Sequence, residues 1–372
     1  MKEKNLDVKK LEEAFNSLKD NSFLTFNCYN IKMRKLNILI AGSTGYIGIQ
    51  LIKLLILHEN VNIKYLCGNS SIGKKISSFD KTPGLKKLPK IVKYNKDFLN
   101  YVDIIFTALP NGEAQQISKD LLNKNTLIDL AADFRLNNSK DYLKWYKQKH
   151  KAKNNIKNSI YALPEITGNL VKKFKIIGCP GCYPTSILLP LIPLITKKVI
   201  NQKNIIIDSK SGYSGAGRGV HKKFENKNLY ESLSAYGVGF HRHNSEIQQE
   251  LKNHTSSEIN FTFTPHIIPM FRGILSTIYL DTKPGISLKK IQNILKKFHK
   301  KNKFVKIKSN NSMLSTNDVI NSNNCFISVC KTKFKNQVII LSVIDNLIKG
   351  GAGQAVQNMN LKYGFKVYEG LV

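Results

Sequence analysis

From residue 36 onward, apolar runs of strand length alternate with stretches of helical spacing. Leu36–Ala41 is a largely apolar run closed by a glycine-punctuated turn, and Tyr46–Leu57 follows with the texture of an apolar helix. Further strand-length runs come at Ile63–Cys67, Ile104–Thr107, Thr126–Leu130 and Lys175–Ile177. Strands alternating with helices in this way predict an α/β fold with a doubly wound parallel sheet. Past residue 185 the texture changes. Longer strand-like runs at Asn204–Ser209, Ile259–Thr264, Ile274–Leu280, Cys325–Lys331 and Val338–Ile344 predict a mixed or antiparallel sheet backed by helices. Gly350–Tyr363 reads as a helix that returns to the first domain. Ahead of all this, Val8, Leu11, Phe15 and Leu18 recur at helical spacing, which predicts a short amphipathic helix. Residues 1–34 form an N-terminal extension; either it is a small appendage to the compact protein or the true start is Met33.

With 372 residues, 42% of them hydrophobic, the chain can bury two ordinary cores. No apolar run reaches the roughly 18 residues of a membrane span. The most apolar stretch, Ile187–Ile195, is short and interrupted by Pro190 and Pro193. The net charge of +33 is of the sign that attracts polyanions. Its lysines, however, are scattered through nearly every surface segment beside abundant Asn and Ile, and arginine, the usual reader of base edges, is scarce. That bias is the drift expected of an AT-rich genome, so neither a nucleic acid nor a membrane is an expected partner. Six cysteines in a chain of this length, without a secretory signal, point to a reducing cytoplasm. Asp7, Glu12 and Glu13 argue against an organelle transit peptide, which is normally acid-poor.

Gly42-Ser43-Thr44-Gly45-Tyr46-Ile47-Gly48 lies between a predicted strand and a predicted helix, the context that makes a glycine-rich loop meaningful. Glycines there allow a tight turn and close approach of backbone to a pyrophosphate resting on the helix N-terminus. The sheet is therefore expected to be Rossmann-type. NAD sites place an acid near the end of the second strand to bind the ribose 2′-hydroxyl. Here that region reads Leu66-Cys67-Gly68-Asn69-Ser70-Ser71, then Lys74-Lys75, with no acid until Asp80. Hydroxyls and ammonium groups stand where a carboxylate would repel a 2′-phosphate. The expected cofactor is NADP, with Ser70 and Ser71 as its phosphate partners.

Gly178-Cys179-Pro180-Gly181-Cys182-Tyr183-Pro184-Thr185 places a cysteine at the mouth of a helix. Pro184 suits the first helical position, so unsatisfied backbone N–H groups lie beside Cys182. Their partial positive charge favours thiolate and would hold an oxyanion on an attacked acyl carbon. Cys179 and Cys182 form a C-x-x-C, but one that follows a long nucleotide-binding pattern rather than opening a small redox domain. Cys325 and Cys330 have the wrong spacing for a zinc site, so no metal is expected; they, Cys28 and Cys67 read as buried apolar residues. A second cluster, His241-Arg242-His243-Asn244-Ser245-Glu246-Ile247, leads into a helix, where imidazole is pushed toward the neutral form a base needs. His150, His254 and His299 read as incidental surface residues.

These motifs, in this order, resemble the N-acetyl-γ-glutamyl-phosphate reductases, the arginine-biosynthesis branch of the semialdehyde dehydrogenases. The resemblance spans about residues 36–366. It takes in Gly42–Gly48, Leu109-Pro110-Asn111-Gly112, the run Asp129–Leu136, Tyr161–Glu165, Pro180–Thr185, Ser211–Arg218 and His241–Ile247. It closes with Thr264–Gly273 and the tail Asp345–Asn358. The resemblance implies a residue 35–180 NADP-binding domain to which 347–372 returns, and a residue 181–346 catalytic and oligomerisation domain. It implies NADPH-dependent reduction of an acyl phosphate through a thioester on Cys182, with His243 as acid/base. Arg135, Arg218 and Arg242 would hold the anionic substrate, with Ser211, Ser214, Gly215 and His241, and the Ser211–Gly217 loop would offer backbone N–H groups to phosphate. Gly42, Ser43, Thr44, Gly45, Tyr46, Gly48, Pro110, Gly353 and Gln354 would hold the cofactor, the last two against the nicotinamide. A homo-oligomer, tetramer or dimer, is implied as well. Three departures stand out: Cys179 where the family has Asn, Asn244-Ser245 for Thr-Pro, and Ala162 for glycine. The first opens the prospect of a reversible Cys179–Cys182 disulfide. Two other readings stay open, an aspartyl- or aminoadipyl-phosphate reductase and a basic nucleic-acid binder on a dinucleotide fold.

Overall fold

The first sheet is built from β1 (Leu36–Ala41), β2 (Val61–Cys67), β3 (Ile91–Val92), β4 (Ile104–Thr107), β5 (Thr126–Asp129), β6 (Ser159–Tyr161) and β7 (Ile176–Gly178). They lie in the order β3-β2-β1-β4-β5-β7-β6, and every neighbouring pair is parallel. Helices α1 (Tyr46–Leu55), α2 (Glu113–Asp120), α3 (Ser139–Tyr146), α4 (Lys153–Ile156) and α5 (Pro164–Thr167) connect them. The strand order reverses between β1 and β4, so the loop after β1 stands at the switch point where such sheets bind ligands. The strand runs read from the sequence are all present; β3 and β6, only two and three residues long, are additions. This is a computed structural model that describes residues 34–217 and 231–371. The expected N-terminal amphipathic helix, Cys28 and Arg218 lie outside the described residues.

Helix α6 (Cys182–Thr196) leads into the second sheet, whose strands are β8 (Ile205–Gly212), β9 (Ser234–Ala235), β10 (Phe261–Ile268), β11 (Ile274–Asp281), β12 (Val305–Ile307), β13 (Cys325–Lys331) and β14 (Gln337–Ile344). The order is β12-β13-β14-β11-β8-β10-β9, with β8–β10 and β12–β13 parallel and the other pairs antiparallel, a mixed sheet as expected. Burial alternates along β8, β10 and β11. The inner face packs against α6 and, through one apolar cluster, against α7 (His243–Lys252) and α8 (Leu288–His299). Ile206 and Tyr279 stay exposed on these strands, at 44% and 36%. From Lys35 on, the chain folds as one compact unit that holds both sheets.

Three helix expectations need correction. Pro184 is the third residue of α6, not the first: Gly181 caps the helix and Cys182 begins it. Proline is tolerated there because the first four helical N–H groups have no intrahelical partner. Pro190 and Pro193 do not interrupt the apolar stretch; α6 runs through both. Proline at 193 deprives the Leu189 carbonyl of its helical partner. His299 from α8 supplies one, with Nε2 at 2.9 Å from that oxygen. His299 is therefore a buried structural residue and not a surface one. The same holds for His150, which is buried with Nε2 at 2.9 Å from the Asp133 carbonyl. The final helix also divides: a wide π turn covers Ile348–Ala352, and α9 (Gly353–Tyr363) follows. Among the described residues no helix is long and apolar enough to cross a membrane.

Candidate active site

The turn after β1 is as tight as its glycines require. Gly42 has φ +87°, and a Cβ there would collide with the Ala108 carbonyl oxygen; one on Gly48 would collide with Gly42 itself. Gly45 caps α1. Ser43 is buried, and its hydroxyl donates to the Cys67 carbonyl at 3.1 Å, so it fastens the loop to β2. Such a cradle, opening on a helix N-terminus with no room for side chains, fits a pyrophosphate. Beside it a cavity of about 280 Å³ is lined by Gly42, Gly68, Asn69, Lys93, Tyr94 and Glu113, among others. Ser70 is exposed and Ser71 buried, and neither lines this cavity. The Gly73 N–H donates to the Ile91 carbonyl at 2.8 Å, which turns that segment back onto β3.

A larger cavity, about 630 Å³, joins the glycine loop to the thiol. Gly45, Tyr46 and Gly48 line one part, Pro110 and Asn111 another, and Cys182, His243, Arg135 and Arg242 the rest with Ser214 and Gly215. Asp133 holds the Pro110 loop in place by accepting the Gly112 N–H at 2.7 Å.

Cys182 opens α6, but the expected thiolate is not what the site holds. Burial pushes the thiol up to about 11, against the lowering effects of Arg135 and the Tyr183 backbone N–H. The free protein therefore keeps Cys182 protonated at neutral pH. Cys179 is more deeply buried, and burial pushes its thiol up to about 12. Cys67, Cys179, Cys182, Cys325 and Cys330 are all free, so no Cys179–Cys182 bridge is present.

His243, the first residue of α7, lies so close over Gly181 that a Cβ there would collide with Nε2. Burial, then His241, Arg135 and Arg242, hold the imidazole well below its ordinary value, so it is neutral. Its Nδ1 is buried, with no hydrogen-bond partner among the described residues. His241 does not line the cavity. Its Nδ1 accepts the His243 backbone N–H at 3.2 Å, and its ring packs edge-on against Tyr183, Tyr236, His243 and Phe263.

Arg135 lines the cavity while spending donors on protein: Nε on the Cys179 carbonyl at 2.8 Å, Nη2 on the Leu130 carbonyl at 3.0 Å and Nη1 on Glu246 at 3.0 Å. Glu246 was not singled out from the sequence, yet it is wholly buried at the centre of the site. It accepts from Arg135, from Tyr161 Oη at 3.1 Å and from the Gly181 N–H at 2.9 Å, and lies 3.7 Å from His243 Nε2. Its i+3 spacing from His243 inside the quoted cluster was the available signal. Arg242 is exposed at the cavity, with no ion pair among the described residues.

Two expectations about binding groups change. Gly212, Tyr213 and Ser214 donate their N–H groups to the Gly273, Met270 and Phe271 carbonyls, and Gly217 to Ser214. The Ser211–Gly217 loop is thus tied to the β10–β11 connection and does not present these N–H groups to phosphate. Ser211 is buried and bonded to the Gly212 carbonyl, while Ser214 accepts from Asn346 Nδ2 at 2.9 Å. Gln354 is also buried, with Nε2 on Thr185 Oγ1 at 3.1 Å, and neither it nor Gly353 lines the cavity. Gly350 and Gly351, from the π turn just ahead, do.

A parallel nucleotide-binding sheet, a thiol at a helix start on the far side of one cavity and a mixed second sheet define the semialdehyde dehydrogenase class. Residues 37–174 match the family described as semialdehyde dehydrogenase, NAD binding domain, and residues 182–346 match semialdehyde dehydrogenase, dimerisation domain. Within that class, the chain belongs to the N-acetyl-γ-glutamyl-phosphate reductase family. It is 42% identical over 333 residues to the Clostridium beijerinckii protein of that name, covering 89% of this chain and 96% of the relative. To the Brachyspira hyodysenteriae protein of the same name it is 43% identical over 343 residues, covering 89% and 97%. Aspartate semialdehyde dehydrogenase II from Vibrio cholerae shares the fold at a TM-score of 0.66 and 16% identity, over 89% of this chain and 99% of that one.

Proposed function

We propose that this enzyme reduces N-acetyl-γ-glutamyl phosphate to N-acetyl-L-glutamate 5-semialdehyde and phosphate in arginine biosynthesis, with NADPH as reductant and Cys182 as nucleophile. The observation that carries the reading is the single cavity shared by the glycine cradle, Cys182, His243, Arg135 and Arg242. Cys182 Sγ attacks the acyl carbon, forming the S–C bond of a thioester as the bond to the phosphate oxygen breaks. A neutral imidazole is the group that can take the thiol proton during attack, and His243 then returns it to the departing phosphate. Because Cys182 is protonated in the free enzyme, deprotonation belongs to the attack itself and not to a standing thiolate. The Cys182 and Tyr183 backbone N–H groups at the start of α6, which already lower the thiol, would donate to the developing oxyanion. A bound nicotinamide dinucleotide supplies the hydride that reduces the thioester. When the thiohemiacetal collapses, the aldehyde leaves and the released thiolate takes a proton from water.

Arg242, exposed and with no ion pair among the described residues, suits the substrate's phosphate or carboxylate; Arg135 is held by Glu246 as a fixed charge beside the sulfur. NADP rather than NAD is supported by the lack of a carboxylate at the end of β2 and by Lys93 and Asn69 beside the cradle; Glu113, which also lines that cavity, comes from α2. The open face of the second sheet, with Ile206 and Tyr279, supports a homo-oligomer built through that domain. The cysteine usage of the chain supports a reducing cytoplasm. The test is the reverse assay: semialdehyde, NADP and phosphate with wild type and Cys182→Ser, following NADPH formation. Loss of turnover with NADPH binding intact is expected; turnover by Cys182→Ser removes the thioester.

A further inference from the structure

Behind the thiol lie two buried charges for which the proposed chemistry has no use. Lys349 Nζ donates to Glu165 Oε1 at 2.6 Å and to Gln357 Oε1 at 3.0 Å. Gln357 Nε2 donates to the same Glu165 oxygen at 2.8 Å, and Asn323 Nδ2 donates to Gln357 Oε1 at 3.0 Å. The two charged side chains are 0% and 1% exposed. Burial pushes the Glu165 carboxyl up, but the Lys349 charge and the hydrogen bonds from Lys349 and Gln357 outweigh it, and the group sits below its ordinary value. Taking both charges out of water is costly, and well-packed apolar residues often serve stability equally well. Stability is thus a weak reason for the pair.

What the pair joins is more informative. Glu165 belongs to α5 beside the parallel sheet, and Lys349, 184 residues later, belongs to the π turn between β14 and α9. The turn is held open by Gly350 N–H to the Asp345 carbonyl at 2.9 Å and Ala352 N–H to the Leu347 carbonyl at 2.8 Å. Such wide turns concentrate at functional sites. The next two residues touch both reacting halves. A Cβ on Gly350 would lie 2.6 Å from Cys182 Cβ, and one on Gly351 would lie 2.8 Å from Ile47 Cδ1 in the nucleotide helix.

We propose that Lys349 and Glu165 are positioning residues whose buried ion pair clamps the π turn, so that Gly350 backs Cys182 while Gly351 backs the nucleotide loop. The sulfur and the nucleotide loop are thereby held in one register by a single anchor. The activity readout rests on the reductase reading; a second readout does not.

The experiment uses the full chain in three forms: wild type, the double variant Lys349→Met/Glu165→Leu, which leaves neither charge unpaired, and Glu165→Asp, which draws the carboxylate back by one methylene. Thermal unfolding, kcat and KM in the reverse assay, and the rate of Cys182 alkylation by iodoacetamide are measured on each. Small misplacements remote from the chemistry cost up to about a hundredfold, so kcat is expected to fall at least about tenfold in folded variants. Substrate KM should stay within about threefold, the mark of an effect confined to the reacting geometry. Alkylation of Cys182 should change by at least about threefold as the backing moves. A purely structural role lowers the melting temperature and leaves kcat and alkylation of the folded protein at wild-type values; that result overturns the proposal. If the double variant does not fold, Glu165→Asp decides by the same criteria. If wild type itself does not turn over, the reductase reading fails and the alkylation rates alone decide the clamp.

Discussion

Glu246 accepts the Gly181 backbone N–H at 2.9 Å, one residue ahead of the reactive thiol, and pairs through its other oxygen with Arg135 at 3.0 Å. One carboxylate thus fixes the start of the thiol's helix and balances the cation beside it. Glu246→Gln keeps the shape but leaves a buried guanidinium uncompensated, which should cost about 3 kcal/mol in urea unfolding. Two kinetic effects should run in opposite directions. Glu246 raises the Cys182 thiol and Arg135 lowers it, so removing the acid leaves more thiolate at any pH below about 11, and alkylation speeds up. Meanwhile the protonated form of His243 loses the carboxylate 3.7 Å away, and kcat falls. Alkylation that slows, or kcat that holds, would contradict this account of the site's charges.

The two histidines of the cluster should separate cleanly. His241 offers Nδ1 to the N–H that opens α7 and stays outside the cavity, whereas His243 lines it. Burial, then Arg242, push His241 down to about 4, so it accepts that N–H as a neutral ring across the working pH range. Asparagine can accept the same N–H two residues on, as in an Asx turn, and cannot shuttle protons. His241→Asn should therefore retain kcat within about fivefold, while His243→Asn should lose about 100-fold or more, the scale of general acid–base catalysis. Steady-state kinetics on the two variants decide it; comparable losses at both positions would make His241 a proton carrier.

Much of this architecture is legible in local sequence because local chemistry dictates it. Gly42 must adopt φ +87° against the Ala108 carbonyl, so a glycine between strand and helix marks the cradle wherever it occurs. The apolar runs of β1, β4, β11 and β14 are likewise visible because their burial repeats over several residues. What escapes the sequence depends on partners far along the chain. Strands β3 and β9 are two residues each, set only by the neighbours they pair with. Gln354 sits in a family motif but turns inward to Thr185, 169 positions away, and the cavity is lined by the glycines before it. A place at a helix start argues for thiolate at Cys182; desolvation, invisible in one dimension, outweighs the Arg135 charge and the backbone N–H groups that favour it.

Helix α6 supplies the most distinctive test of such a long-range partner. Pro193 leaves the Leu189 carbonyl without a helical donor, and His299 Nε2 fills the place at 2.9 Å, 110 residues away. His299→Leu strands a buried carbonyl and should cost about 1–3 kcal/mol. Pro193→Ala restores an N–H to the helix at the right position, so in the His299→Leu background it should recover part of that loss. A double-mutant cycle by urea unfolding should show a coupling of about 1 kcal/mol; strict additivity would mean that His299 does not serve this carbonyl. The same residue shapes the acid limb of stability. Burial holds His299 below its ordinary value in the fold, so below about pH 6.5 the unfolded chain binds a proton that the folded chain refuses. Stability contributed by the neutral ring is present above that pH and lost as the pH falls. His299→Leu should therefore show a shallower decline between pH 6.5 and 5 than wild type, because its unfolded state has one fewer proton to gain.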